Sequence, residues 1–288
     1  MSTEVKAAYT WRVTMLTVIA LMAFAGNSLL CRLALRGGHA EPAAFTLIRL
    51  GSGAAVLWIV LRAGRRDVRI GGDWRSALAL FVYAITFSFA YLSLSAGTGA
   101  LLLFGAVQAS MLLVGFLKGE RLGSVQWLGL AFAVSGLVYM VLPGVEAPAP
   151  FGAALMLAAG VAWGLYSLRG QRAGDPVMAT AGNFLRATPL AMLVALLSVS
   201  RLEVDATGWA LALGSGVITS GLGYVIWYTA LKDLTATRAA VVQLSVPVIA
   251  ALGGVVFLDE AFTPRLGIAT CVILGGVALA IAGRQARS

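Results

Sequence analysis

Apolar residues in this chain gather into runs long enough to cross a bilayer, separated by brief polar breaks. A helix needs about 20 such residues to span a hydrocarbon core of roughly 30 Å. Ten spans are predicted, at 13–33, 42–61, 76–95, 99–117, 124–142, 151–168, 177–199, 208–231, 237–257 and 266–283. The longest connections, 62–75 and 142–150, are too short to hold a domain. No G-x-x-x-x-G-K phosphate loop occurs, so no transport is driven directly by ATP within this chain.

One stretch of this pattern is written twice. Moved along by 140 residues without a gap, Ala90–Leu142 falls on Ala230–Ala282. The positions that match are Ala90/Ala230, Leu94/Leu234, Ala96/Ala236, Ala100/Ala240, Leu112/Leu252, Glu120/Glu260 and Gly136/Gly276. Each copy has a polar lead, an apolar span, a turn carrying Glu, and a second apolar span with a glycine near its middle. Ten spans then divide into five plus five, 1–142 and 151–288, joined by the Pro-rich 143–150 loop. Five is odd, so the second half enters the membrane in the opposite sense. The expected fold is an all-α integral membrane protein built as two inverted five-helix repeats, with a site near the midplane.

Composition narrows the class further. Of 288 residues, 60% are hydrophobic and 11% charged, and mean hydropathy is +0.91. Soluble domains are about 25% charged, so the chain belongs in a lipid bilayer. A net charge of +9 would suggest nucleic acid in a soluble protein, but here the bases punctuate apolar runs and read as topology signals. Of the 21 Lys and Arg, Arg32, Arg36, Arg201 and Arg265 fall on one side, Arg49 and Arg186 lie within spans, and the other fifteen share the opposite side. That bias puts both termini in the cytoplasm. Lys6 and Arg12 precede a run too long for a cleavable signal, which reads as a retained first span. Cys31 and Cys271 read as small buried hydrophobes.

The features converge on a resemblance. Ten spans in paired halves, Gly26/Gly164 in the first span of each half, Arg49/Arg186 in the second, and Glu120/Glu260 between the fourth and fifth resemble the drug/metabolite transporter superfamily, EamA type. The aromatic residues within spans look like the branch of YddG-like aromatic amino acid exporters. Pro247 matches the proline expected in the second half, whereas its counterpart in the first is Val107. The resemblance implies a multi-pass protein of a bacterial-type inner membrane, alternating access and a small-molecule substrate, without cofactor or nucleic acid. The oligomeric state is open.

Candidate chemistry follows from polar and aromatic groups at span centres. Tyr83, Phe87 and Tyr91 recur at i, i+4 and i+8, one face of a helix. With Asn27, Gln108, Trp163, Tyr166, Tyr224 and Gln243 they suit a mostly apolar substrate, since rings stack and amides orient. Tyr83, Phe87 and those six are the expected substrate-binding residues. An arginine in a span needs protein or water beside it. Inversion puts Arg49 and Arg186 toward opposite surfaces, so a structural or gating role is expected, with contact to a substrate carboxylate as the alternative. Glu120 and Glu260 are expected to cap helices and fix turns. Pro247 and Pro189 should kink their helices.

All twelve acids and the lone histidine, His39, fall in loops or termini, so an intramembrane proton or sodium relay is not expected. The implied function is facilitative or exchange-type export of small amphipathic metabolites, foremost aromatic or other apolar amino acids. A drug, nucleoside or sugar-linked substrate is the alternative on the same fold. An intramembrane enzyme would need a buried Ser/His/Asp set, metal cluster or carboxylate pair, and none is written. An assembly protein would leave the buried polar residues unexplained.

Overall fold

The computed structural model describes residues 3–64, 71–117, 123–170, 175–198, 203–231, 233–234 and 242–285. Their helices are α1 (Thr3–Arg36), α2 (Pro42–Ala63), α3 (Trp74–Ala90), α4 (Ala96–Leu117), α5 (Ser124–Val141), α6 (Pro150–Gly170) and α7 (Pro176–Leu197). Then α8 (Ala206–Leu213) runs through a π-helical stretch (Gly214–Leu222) into α9 (Gly223–Leu231), followed by α10 (Ser245–Leu258) and α11 (Pro264–Gln285). Eight of these segments, α8 to α9 counted as one, are long and apolar enough to cross a membrane, and α3 and α10 are shorter apolar helices.

Several starts are fixed by acids. Glu41 Oε2 accepts the Ala43 and Ala44 N–H groups at 2.8 and 3.1 Å, just ahead of Pro42. Asp73, Asp175 and Asp205 cap α3, α7 and α8 in the same way. A carboxylate there answers both the unpaired N–H groups and the positive end of the helix dipole.

The third and ninth spans differ from expectation. α3 ends at Ala90, because Tyr91 to Leu94 turn back on Phe87, Ser88, Phe89 and Ala90 through backbone hydrogen bonds. Residues 237–241 of the ninth span lie outside the described residues, and the helix lapses at Leu244 before α10 begins at Ser245. Pro247 lacks the N–H that would reach the Gln243 carbonyl, which accounts for the break there.

α4 is central, buried on every side from Ala96 to Gln108. α6 lies against it through glycines: a Cβ on Gly160 would stand 2.6 Å from the Ala106 Cβ, and one on Gly164 2.3 Å from Ser110 Oγ. α5 and α11 form the closest seam. There a Cβ on Gly129 would meet Ala280 N at 2.4 Å, and one on Gly276 would meet Ala133 N at 2.5 Å. Small residues allow this approach where no hydrophobic force drives helices together in lipid. The other main pairings are α2 with α7, α4 with α10, α3 with α6, and α1 with α8 to α10.

Candidate functional site

Rings from four helices meet at the centre of the bundle. Trp163 on α6 is the hub, with ring centroids 4.8 Å from Tyr83, 5.0 Å from Tyr224, 5.4 Å from Tyr166 and 6.5 Å from Phe24. Phe24 in turn stands edge-on to Tyr224 and Trp227. The tilted and edge-to-face arrangements are those favoured by ring quadrupoles.

Between these rings lies a cavity lined by Phe24, Asn27, Ser28, Tyr83, Phe87, Leu103, Phe104, Trp163, Thr219 and Tyr224. Its volume is about 20 Å³, room for roughly one water molecule. No metabolite fits until the surrounding helices part. A larger groove of about 530 Å³ runs between α2 and α7, but Thr188 is the single hydroxyl in its lining, which includes Gly51, Trp58, Leu185 and Pro189. It offers a ligand almost nothing polar, so the small central cavity is the better candidate site.

Five of the eight expected binding residues line this cavity: Asn27, Tyr83, Phe87, Trp163 and Tyr224. Tyr166 stands one ring back, behind Trp163. Gln108 is buried in α4 and Gln243 half-buried ahead of α10, and neither reaches the lining. Sequence reading missed the π-helical residues. Ser215 Oγ and Thr219 Oγ1 both donate to Asn27 Oδ1, at 2.7 and 3.2 Å, while Asn27 Nδ2 donates to the Tyr83 hydroxyl at 3.3 Å. The available signal was the i, i+4 pair Ser215 and Thr219 within an apolar span. π-Bulges are frequent at functional sites.

Arg49 is enclosed within the bundle. It is 1% exposed, with its guanidinium carbon 5.1 Å from the centroids of both Tyr83 and Phe87. Nε donates to Ser220 Oγ at 3.0 Å and one terminal nitrogen to the Tyr83 hydroxyl at 2.9 Å, whereas Nη1 has no acceptor. Gly216 makes this possible, since a Cβ there would meet the Arg49 carbonyl at 2.4 Å and hold α2 away. Arg186, its counterpart, instead donates to the Gly71 and Gly182 carbonyls at 2.6 and 3.0 Å.

Polar networks close the bundle at both ends of α3. At the far end, Arg32 Nε pairs with Glu260 Oε1 at 2.9 Å and Arg32 Nη1 donates to the Tyr91 carbonyl at 2.8 Å. Glu260 was expected to cap the helix that follows it. Instead its Oε2 accepts the Ala96 N–H of α4 at 2.7 Å, because Asp259 turns the chain with φ 50°. Glu120 lies outside the described residues.

At the near end, Asp73 pairs with Arg169 at 2.8 Å and its N–H donates to Asn183 Oδ1 at 3.0 Å. Partial burial opposes the Asp73 charge, but the Ser76 hydroxyl and N–H, with Arg169, outweigh it and hold the carboxyl at about 2. On the loop side, hydrogen bonds from His39 and the Gly208 N–H keep the Asp205 carboxyl below its ordinary range. Among the described residues no group of three His, Cys, Asp or Glu is placed to hold a metal.

Comparison with known proteins places this arrangement. The EamA-like transporter family matches residues 150–282. PA1977 of Pseudomonas aeruginosa is 53% identical over 278 residues, 96% of this chain and 97% of its own. An uncharacterized transporter of Archaeoglobus fulgidus is 25% identical across 93% of this chain and 96% of its own. The threonine/homoserine exporter RhtA of Escherichia coli is 30% identical over 148 residues, 49% of each chain. A protein of known crystal structure, 23% identical, superposes over 95% of this chain and 98% of its own with a TM-score of 0.68, so the fold is shared. The chain is a multi-pass membrane protein that belongs to the EamA-like transporter family, within the drug/metabolite transporter superfamily.

Proposed function

We propose that this protein is an inner-membrane exporter of small amphipathic metabolites, foremost aromatic or other apolar amino acids, in the manner of YddG-like exporters. The observation that carries the reading is the buried cavity walled by Phe24, Tyr83, Phe87, Trp163 and Tyr224, with Asn27 among them. Rings take an apolar side chain, and Asn27, Ser28 and the Tyr83 hydroxyl take polar groups. The likeness of part of the chain to exporters named for threonine and homoserine supports export and the amino acid class. It also favours a second reading, a small hydroxylated amino acid held by Asn27, Ser28 and Thr219.

The cycle we propose is alternating access without ion coupling, by facilitation or exchange, between two inverted repeats, 1–142 and 151–288, with both termini cytoplasmic. The helix pairing supports it. α2 with α7, α4 with α10 and α5 with α11 each join equivalent spans of the two halves, and α3 against α6 is mirrored by the α8–α9 rod against α1. Polar closures above and below a cavity too small for substrate fit an occluded step in that cycle.

The test is uptake of labelled phenylalanine into proteoliposomes with no ion gradient, with and without unlabelled phenylalanine inside. Uptake above empty liposomes, stimulated by preloading and reduced about tenfold or more by Trp163→Ala, is the expected result. Uptake of threonine with none of phenylalanine would select the second reading. No uptake of either by folded protein would remove amino acids as the substrate class.

A further inference from the structure

Arg49 is a buried cation for which the described residues offer no anion. The ion pairs described, Arg32–Glu260, His39–Asp205 and Arg169–Asp73, all lie at helix ends or in loops. Two hydroxyls, Ser220 and Tyr83, and two ring faces share the Arg49 charge without neutralising it. An unpaired charge away from water is strongly destabilising, and intramembrane arginines mark pathways for that reason.

Two features tie this charge to the cavity. The Tyr83 and Phe87 rings that cover the guanidinium are themselves cavity walls, so displacing them joins the two spaces. Ser28 lies on the same lining, and behind the two rings Arg49 Nη1 is buried with no acceptor among the described residues. The Tyr83 hydroxyl receives N–H groups from both Asn27 and Arg49, the position a carboxylate oxygen would take. Among the described residues no acid lines the cavity to receive an ammonium group as an ion.

We infer that Arg49 is the anion receptor of the cavity and that the substrate class is small organic carboxylates. The substrate carboxylate displaces the Tyr83 hydroxyl and takes the two terminal guanidinium nitrogens as a fork. The amine contributes little. The inference rests on the central cavity being the transport path, and it deepens that reading by naming the group recognised. Aryl carboxylates lacking an amine are then ligands, and aryl amines lacking a carboxylate are not.

The experiment compares thermal stabilisation of the purified full chain in detergent by phenylacetate, phenethylamine and 2-phenylethanol. A ligand at ten times its dissociation constant stabilises by about 1.4 kcal/mol and raises the midpoint by about 3–6 °C in a chain of this size. Phenylacetate should produce that shift, the other two should not, and Arg49→Gln should abolish it while Arg49→Lys keeps part. Equal stabilisation by the amine or alcohol, no shift with any of the three, or a phenylacetate shift retained in Arg49→Gln would overturn the inference. If Arg49→Gln does not fold, the wild-type series decides alone. Phenylacetate stabilisation without phenylalanine uptake would leave the receptor standing and remove the aromatic amino acid reading. Phenylalanine uptake without a carboxylate preference would do the reverse.

Discussion

Glu260→Ala tests whether the far end of α3 is held by one carboxylate. Glu260 accepts the Ala96 N–H, one of the α4 donors with no partner inside its own helix, and pairs with Arg32. Leaving a buried donor unmade costs about 1–3 kcal/mol, and breaking a buried ion pair about 3–5. The true figure lies toward the low end, because Arg32 keeps the Tyr91 and Leu92 carbonyls and the two side chains retain 12% and 8% exposure. We expect a loss of about 3 kcal/mol. Glu260→Gln keeps one acceptor for Ala96 and loses the charge, which should cost about 1 kcal/mol. At roughly 2–4 °C per kcal/mol, the thermal midpoint in detergent should fall by about 6–12 °C and 2–4 °C respectively. Equal effects of the two variants, or neither differing from wild type by more than about 1 °C, would refute the account. A double-mutant cycle with Arg32→Ala should show coupling of at least about 1 kcal/mol, and strict additivity would show that the pair does not act as one.

Two further outcomes follow from contact geometry and charge. Gly129→Ala places a Cβ 2.4 Å from the Ala280 nitrogen, so α11 must move at a cost of about 1–3 kcal/mol. Gly275→Ala, on α11 itself, meets nothing within 4 Å and should be neutral in the same melting assay. For Asp73, a folded pKa held at about 2 contributes stability above the ordinary value of 3.8 that is lost as pH falls toward 2. Because its side chain is 48% exposed, the contribution is discounted to about 1 kcal/mol or less, so Asp73→Asn should cost about 2 °C at pH 7, little at pH 2 and nothing by about pH 1.

The spans were legible because a bilayer demands apolar length, and α2, α5, α6 and α7 begin and end within about two residues of the sequence reading. Where the chain bends without becoming polar, that signal fails. Tyr91 and Leu94 are buried turn residues, so hydropathy carried the third span past its end. The ring cluster was legible in part, since depth along a span shows in sequence. Rotation about the helix axis does not, which separates Tyr83 and Trp163 from Gln108 and Gln243. Arg49 and Arg186 share one sequence signal, yet one meets aromatic rings and the other backbone carbonyls. Glu260 reads as a turn residue, but its partner is 164 positions away, beyond any local pattern.

The two closures are not equal, and their difference predicts which opens more readily. The Arg32–Glu260 pair has side chains 12% and 8% exposed, and the Arg169–Asp73 pair 40% and 48%. A pair half in water contributes about 0–1 kcal/mol, because water replaces each partner as it leaves, whereas separating the drier pair forfeits several. The Asp73 end also depends on single hydrogen bonds, from Arg186 to the Gly71 carbonyl and from the Asp73 N–H to Asn183, at the start of α3. At the other end Arg32, Arg36 and Glu260 tie α1, α3, α4 and α10 together. Local opening free energies follow such differences. Hydrogen exchange should therefore release the amides of 73–77 well before those of 94–98, and Glu260→Ala should narrow the gap. Faster exchange at 94–98 in the wild-type protein would mean that side-chain exposure does not set the order of opening.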